Sequence, residues 1–198
     1  MENKAVLLHC CCGPCSIYPL QALGDEGFSV TGLFYNPNIH PYREFSSRLE
    51  AFQQMAKEQD LQTIIDERYG LSSYLQHLSQ LANEGEEQAG NTIDVFARES
   101  TLRCRYCYES RLDYTARACL DLGFTLFSTT LLVSPYQDHH TIQALGESIG
   151  DAYGLQFLYR DFRDGFRKGQ QKAREMGLYM QGYCACIFSE YLRYGDRG

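Results

Sequence analysis

Nine cysteines lie in this chain and eight of them are grouped: Cys10, Cys11, Cys12 and Cys15 in HCCCGPC, Cys104 and Cys107 in RCRYC, and Cys184 and Cys186 in YCAC, with Cys119 alone. Thiols at such short spacing suit metal ligation or redox chemistry, and in a reducing compartment they have little use as disulfides. The start, MENKAVLLHCCC, lacks the apolar run and small-residue cleavage site of a secretory leader, so a cytoplasmic protein is expected. No stretch approaches the roughly 20 continuous apolar residues of a membrane span, and no membrane partner is expected.

The three groups differ in what they can grip. Cys15 is expected near the start of a helix, whose positive end favours a thiolate, with Gly13-Pro14 forming a tight turn before it. Adjacent thiols such as Cys11 and Cys12 seldom point the same way, and more easily serve two metal centres or two sides of one cluster. Cys104 and Cys107 have the two-residue spacing by which two thiolates hold one zinc or one cluster. Cys184 and Cys186 add two thiols from an extended or turn segment. Cys10 still belongs to a strand end, and Cys119 lies on the apolar face of its helix, so both read as buried core thiols. Seven thiols remain, more than one tetrahedral zinc or one cubane requires. The surplus suggests a cluster plus a second metal or redox-active thiols, and thiolate softness favours iron.

These groups must be positioned by the elements between them. Ala5–His9, Phe28–Tyr35, Thr63–Ile65, Thr125–Thr130 and Leu155–Tyr159 read as strands. Helices are expected from Cys15 to Leu23, where Gly24 and Gly27 stop it, and along the stripe Phe45, Leu49, Phe52 and Ala56. Two more are expected within Leu71–Arg98, with Gly85 between them. Others run after Cys107 to about Leu122, over Thr141–Tyr153 and over Phe166–Met176. GYCACIFSEYL reads as a loop and a short element. Strands alternating with helices imply a three-layer α/β fold with a mostly parallel, Rossmann-like sheet. Residues 1–198 are expected to form a single metal-binding catalytic domain. In such sheets ligands bind beyond the carboxyl ends of the strands, which is where HCCCGPC, NPNIHP and SPYQ fall; the YCAC pair is not placed by this topology.

The chain carries 18 basic and 25 acidic residues, net −7. The excess sits in residues 58–99 (two basic against nine acidic), whereas residues 100–198 are balanced at twelve against eleven. Such a balance argues against non-specific nucleic-acid binding but leaves room for a local basic face.

Taken together, HCCCGPC, FYNPNIHP, RCRYC followed by Arg111, TTLLVSPYQ and YCAC resemble the epoxyqueuosine reductases of the QueH family, over nearly the whole chain. The resemblance implies two-electron removal of the epoxide oxygen from epoxyqueuosine at the tRNA wobble position, without cobalamin. It implies a 4Fe–4S cluster beside a mononuclear metal, expected to be iron. It also implies a fold similar to that of the adenine-nucleotide hydrolases, with HCCCGPC in the place of their phosphate loop and no ATP binding. Cys11, Cys12, Cys104, Cys107, Cys184 and Cys186 are then the cofactor ligands. Cys15 stands where the family admits Asp, which directs it to the single metal; Cys10 lies outside the pattern.

The substrate would be tRNA carrying epoxyqueuosine, and a low-potential donor such as a ferredoxin or flavodoxin would supply electrons. The leaving oxygen needs protons, for which Asp161, His40 and Tyr183 are candidates. For the polyanion, Arg103, Arg105, Arg111 and Arg117 would give one basic face. Residues 160–175 give another, with Arg160, Arg163, Arg167, Lys168, Lys172 and Arg174 against Asp161, Asp164 and Glu175, net +3. Tyr106, Tyr108, Phe162 and Phe166 interleave as stacking candidates. Two rival readings are a thiol–disulfide reductase of the heterodisulfide type and a zinc-stabilised RNA-binding module. A sulfur-transfer enzyme would need an ATP loop that is absent after the first strand.

Overall fold

The computed structural model describes residues 4–84 and 100–195. Five parallel strands form one sheet: β1 (Lys4–His9), β2 (Phe28–Tyr35), β3 (Thr63–Asp66), β4 (Leu126–Thr129) and β5 (Gln156–Phe157), in the order β3-β2-β1-β4-β5. The chain reverses direction across the sheet between β1 and β4, which puts a crevice at the carboxyl ends of those two strands. Val6, Leu7 and Leu8 of β1 are completely buried, as the central strand of a sheet covered on both sides must be.

The helices between the strands are α1 (Gly13–Asp25), α2 (Tyr42–Glu58), α3 (Leu71–Glu84), α4 (Ser100–Asp121), α5 (His139–Tyr153), α6 (Phe166–Glu175) and α7 (Ile187–Tyr194). On one face α1 packs against α2 and α6; on the other α4 packs against α5 and lies on β1, β2 and β4. Phe34, Phe52 and Phe127 are completely buried between the layers.

Several boundaries differ from the sequence reading. Gly13 and Pro14 are not a turn but the first residues of α1; proline is tolerated there because its missing N–H would be unpaired anyway. Gly24 lies inside α1, and Gly27, with φ 82°, makes the stop. Cys104 and Cys107 do not precede a helix. They lie within α4, three residues apart and therefore on one side of it. β4 is shorter than expected because Thr130–Val133 closes into a 3-10 turn, whose first amide is satisfied when the Thr129 hydroxyl accepts from Leu131 N. The first of the two helices expected in Leu71–Arg98 is α3; the second falls outside the described residues.

Gly13 sets how closely the first cysteine group approaches α2. A Cβ there would stand 2.4 Å from the Ala51 carbonyl oxygen and 2.8 Å from its carbon, both backbone atoms that cannot swing away. Gly13→Ala should therefore destabilise the protein by about 1–3 kcal/mol, the usual cost of overpacking, measured by denaturant unfolding. An unchanged midpoint would mean that the α1–α2 contact is looser than the geometry requires.

Candidate metal centre

The site is built on the carboxyl ends of three strands, which His9 joins. Its Nδ1 lies 2.8 Å from Thr129 Oγ1 at the end of β4, and its Nε2 lies 3.2 Å from the Tyr35 carbonyl and 3.3 Å from Asn36 Oδ1 at the end of β2. Two acceptors on one side place the ring proton on Nε2, leaving Nδ1 to accept from the threonine hydroxyl. Burial above all, with the positive charge of Arg111 second, lowers the His9 pKa to about 4, so the ring is neutral. Asn36 Nδ2 donates to the Cys10 carbonyl at 2.9 Å, Cys11 N donates to Thr130 Oγ1 at 3.0 Å, and the Ser16 hydroxyl donates to the Cys12 carbonyl at 2.7 Å. The backbone of the first cysteine group is thus fixed from both neighbouring strands.

That backbone gathers Cys11, Cys12 and Cys15, whose sulfurs all lie within 4.8 Å of one another, with Cys11 and Cys12 only 3.9 Å apart. Adjacent cysteines here do present their thiols together, because Cys12 is the extended residue capping α1 and the chain turns between them. The Cys11 thiol is held well below its usual range by hydrogen bonds from Cys12 and Cys15, joined by the Thr130 hydroxyl at 3.4 Å. Cys12, chiefly through burial, and Cys15, through its bonds to Cys11 and Cys12, are pushed upward. Gln181 Nε2 caps the group, donating to Cys12 at 3.2 Å and Cys15 at 3.3 Å.

Cys104, Cys107, Cys184 and Cys186 are more widely spaced: no three of their sulfurs lie within 4.8 Å of one another. Burial pushes Cys104 up to about 11 and Cys107 further, with lesser upward contributions from Cys184 and Cys186. The YCAC segment is held by Arg48 of α2. Its guanidinium donates to the Cys184 carbonyl at 2.6 Å and the Tyr183 carbonyl at 2.9 Å, while Nε meets Glu44 at 2.7 Å. Glu44 also accepts from the Tyr179 hydroxyl at 2.5 Å. His40 N donates to the Ala185 carbonyl, and the Tyr183 hydroxyl returns a bond to the His40 carbonyl at 2.6 Å. Gln137 Nε2 donates to Cys184 Sγ at 3.3 Å.

Arg111 stands between the groups. Its Nε donates to the Cys107 carbonyl at 2.7 Å and its Nη2 to Cys107 Sγ at 3.0 Å, and its charge also acts on Cys11 and Cys184. Arg111 is therefore not a surface cation for nucleic acid: it is buried, as is Arg103, whose guanidinium lies 5.8 Å from the Phe188 ring centre. Of the basic face expected on α4, Arg105 and Arg117 are exposed, and Arg117 pairs with Asp113 at 2.7 Å. On α6, Arg167 and Lys168 are exposed; Arg163, just before it, is bound to Asp161.

A cavity of about 470 Å³ opens beside these thiols, lined by Cys11, Cys15 and Cys184, by Arg48 and Arg111, and by Tyr183 among others. Of the proton-donor candidates only Tyr183 lines it. Asp161 is exposed and away from it, and bonds from Arg163 hold its carboxyl down to about 2, so it is a carboxylate without a proton to give. His40 is completely buried behind the YCAC segment, and neither ring nitrogen has a hydrogen-bond partner among the described residues. Cys10 is buried with its thiol on the Leu8 carbonyl at 3.3 Å and pushed up to about 12, and Cys119 is buried too. Sequence reasoning did not find Gln181, Thr130 or Arg48. Gln137 lay within a quoted motif without a role, and polar residues next to a cysteine motif were the signal available for it and Gln181.

The donor set fits a soft metal. A tetrahedral ion at about 2.3 Å from each sulfur holds its sulfurs about 3.8 Å apart, close to the Cys11–Cys12 spacing of 3.9 Å. A parallel α/β fold with a close group of three thiols at the strand-end crevice defines a cysteine-rich protein with a site that could hold a metal. The chain belongs to the epoxyqueuosine reductase QueH family, whose model matches residues 6–191, and it is accordingly an oxidoreductase. It is 34% identical to the epoxyqueuosine reductase QueH of Dehalococcoides mccartyi, covering 96% of this chain and 94% of that one. It is 32% identical to that of Thermotoga maritima (93% and 89%) and 31% identical to that of Streptococcus pyogenes (94% and 71%). A solved structure described as a predicted subunit of tRNA methyltransferase from Methanocaldococcus jannaschii superposes at 14% identity with a TM-score of 0.49, covering 87% of this chain and 75% of that one. Family membership sets aside the disulfide-reductase and zinc-module readings. No helix among the described residues is long and apolar enough to cross a membrane.

The buried histidines give a pH test. Burial lowers the His40 pKa to about 4, whereas an unfolded histidine titrates near 6.5. Between those values the unfolded chain binds the proton and the folded one does not, so stability is complete above about pH 6.5 and falls as pH drops towards 4. His9 acts in the same direction. Replacing His40 by Gln should remove about half of the stability lost over this window, with each histidine contributing on the order of 3 kcal/mol. Denaturant unfolding at stepped pH measures it, and parallel slopes for both proteins would contradict the assignment.

Proposed function

We propose that this protein reduces epoxyqueuosine in tRNA to queuosine, the two electrons and two protons converting the epoxide to an alkene and water. The observation that carries this reading is the close group of Cys11, Cys12 and Cys15 beside a cavity that Cys184 also lines, in a chain of this family. Cys11, Cys12 and Cys15, closely spaced, would hold a mononuclear metal, expected to be iron. Cys104, Cys107, Cys184 and Cys186 supply the four thiolates a 4Fe–4S cluster takes. When bound, these groups would supply Lewis acidity towards the epoxide oxygen and a store of single electrons; cobalamin has no part in this scheme.

The chain's own residues prepare the chemistry. Arg111 and Arg48 put two buried cations beside the thiols and offset the charge that thiolate ligation brings into an apolar interior. Gln181 and Gln137 aim amide donors at three of the sulfurs and fix their orientation. Tyr183, raised above the usual phenol range by burial, keeps its proton and is the one of the three candidate donors that lines the cavity; its hydroxyl bonds the His40 carbonyl and would have to turn from it to serve the epoxide oxygen. Exposed Arg105, Arg167 and Lys168 would meet the tRNA backbone. A ferredoxin or flavodoxin would deliver electrons, and the whole chain would act as a single domain in the cytoplasm.

The test is anaerobic turnover of iron- and sulfide-reconstituted protein with a low-potential reductant and tRNA carrying epoxyqueuosine, read by mass spectrometry of the digested nucleosides. The expected result is loss of one oxygen without added cobalamin, and a fall in kcat of about 100-fold in Tyr183→Phe at unchanged iron content. Intact, reducible metal centres with no conversion would overturn the reaction.

A further inference from the structure

Tyr136 is 83% exposed, the most exposed of the large hydrophobic side chains among the described residues. It is not on a loose loop. Its own amide donates to the Ser134 hydroxyl at 3.2 Å, and Ser134 N donates to the Leu131 carbonyl at 3.2 Å. Next to it, Gln137 is held by the Tyr108 hydroxyl at 2.8 Å and itself reaches Cys184. The ring stands edge-on to Phe166 of α6, with centroids 6.0 Å apart and planes at 82°. Both rings line the thiol cavity together with Arg193, and exposed Arg167 follows Phe166 on α6, whereas Lys168 lines a different cavity.

A cavity of about 470 Å³ has room for one nucleoside and its substituent, not for a run of nucleotides. If one nucleotide enters, its neighbour in the strand is left at the mouth with an unstacked base. An aromatic side chain already fixed by its turn can receive that base with little loss of conformational freedom.

We infer that Tyr136, backed by Phe166, is the ledge on which the base adjoining the modified nucleotide stacks, with Arg167 and Arg193 placed for the flanking phosphates. The inference rests on the reading of the substrate as tRNA. It makes Tyr136 a determinant of single-stranded RNA recognition, separate from the groups that surround the reacting atoms.

The test compares Tyr136→Ala and Tyr136→Phe with the unaltered reconstituted protein on two substrates, tRNA carrying epoxyqueuosine and the free epoxyqueuosine nucleoside. KM for the tRNA should rise about tenfold in the alanine variant at unchanged iron content and kcat. The phenylalanine variant should restore it, and all three proteins should treat the nucleoside alike. Direct titration with an anticodon stem–loop RNA, which needs no turnover, should give the same tenfold difference in Kd. Binding and KM within twofold of the unaltered protein would overturn the ledge, as would an equal loss on the free nucleoside. A retained tenfold binding difference in the absence of any turnover would uphold the ledge and sink the reaction instead.

Discussion

The arrangement depends on the neutral imidazole of His9, which is bonded at once to the ends of β4 and β2 while lying at the end of β1. Parallel strands exchange no side-chain bonds by default at their carboxyl ends, and the loops that leave them are free to diverge. A buried ring with one donor and one acceptor forces three of those ends into a single plane. HCCCGPC leaves from that plane with its carbonyls and amides already paired to Asn36, Thr130 and Ser16. Charging the ring would cost it the acceptor function towards Thr129, and burial opposes that charge.

Electrostatics then decide what the site can hold. Thiols in a mostly buried setting would resist ionisation, and burial does push Cys12, Cys104 and Cys107 upward. Arg48 and Arg111 are the compensation. One is satisfied by Glu44 and two carbonyls of the YCAC segment, the other by the carbonyl and sulfur of Cys107. Each therefore combines a structural tie with a fixed positive charge, and removing either would leave buried groups unpaired as well as thiolates unscreened.

Much of this was legible in the residues. The alternation of β-branched runs with amphipathic stretches is enough to specify a parallel sheet, and the rule that ligands sit beyond strand ends placed the first cysteine group, NPNIHP and SPYQ. The YCAC pair escaped because it follows the last strand and helix; what brings it to the rim is Arg48, a residue in the middle of α2 whose sequence context is that of an ordinary exposed helix cation. Arg111 was misread for the same reason. Spacing along α4 says which residues share a side, and the charged type suggested solvent, but the four-residue step from Cys107 to Arg111 also brings the guanidinium to its thiol. The start of α4 was misplaced because Cys-X-X-Cys occurs in turns and on helices alike. Asp161 followed a similar course: proximity to motifs along the chain did not translate into proximity to the cavity, since a neighbouring arginine holds it at the surface.

The central claim is that two thiol groups meeting at one rim hold two different metal centres. Mössbauer spectroscopy of the reconstituted protein and of two single variants, Cys12→Ser and Cys104→Ser, tests it most directly. The account predicts cluster and single-iron signals together in the unaltered protein, loss of only the single-iron signal in Cys12→Ser, and loss of only the cluster in Cys104→Ser. Simultaneous loss of both signals in either variant, or one signal common to all three proteins, would contradict it.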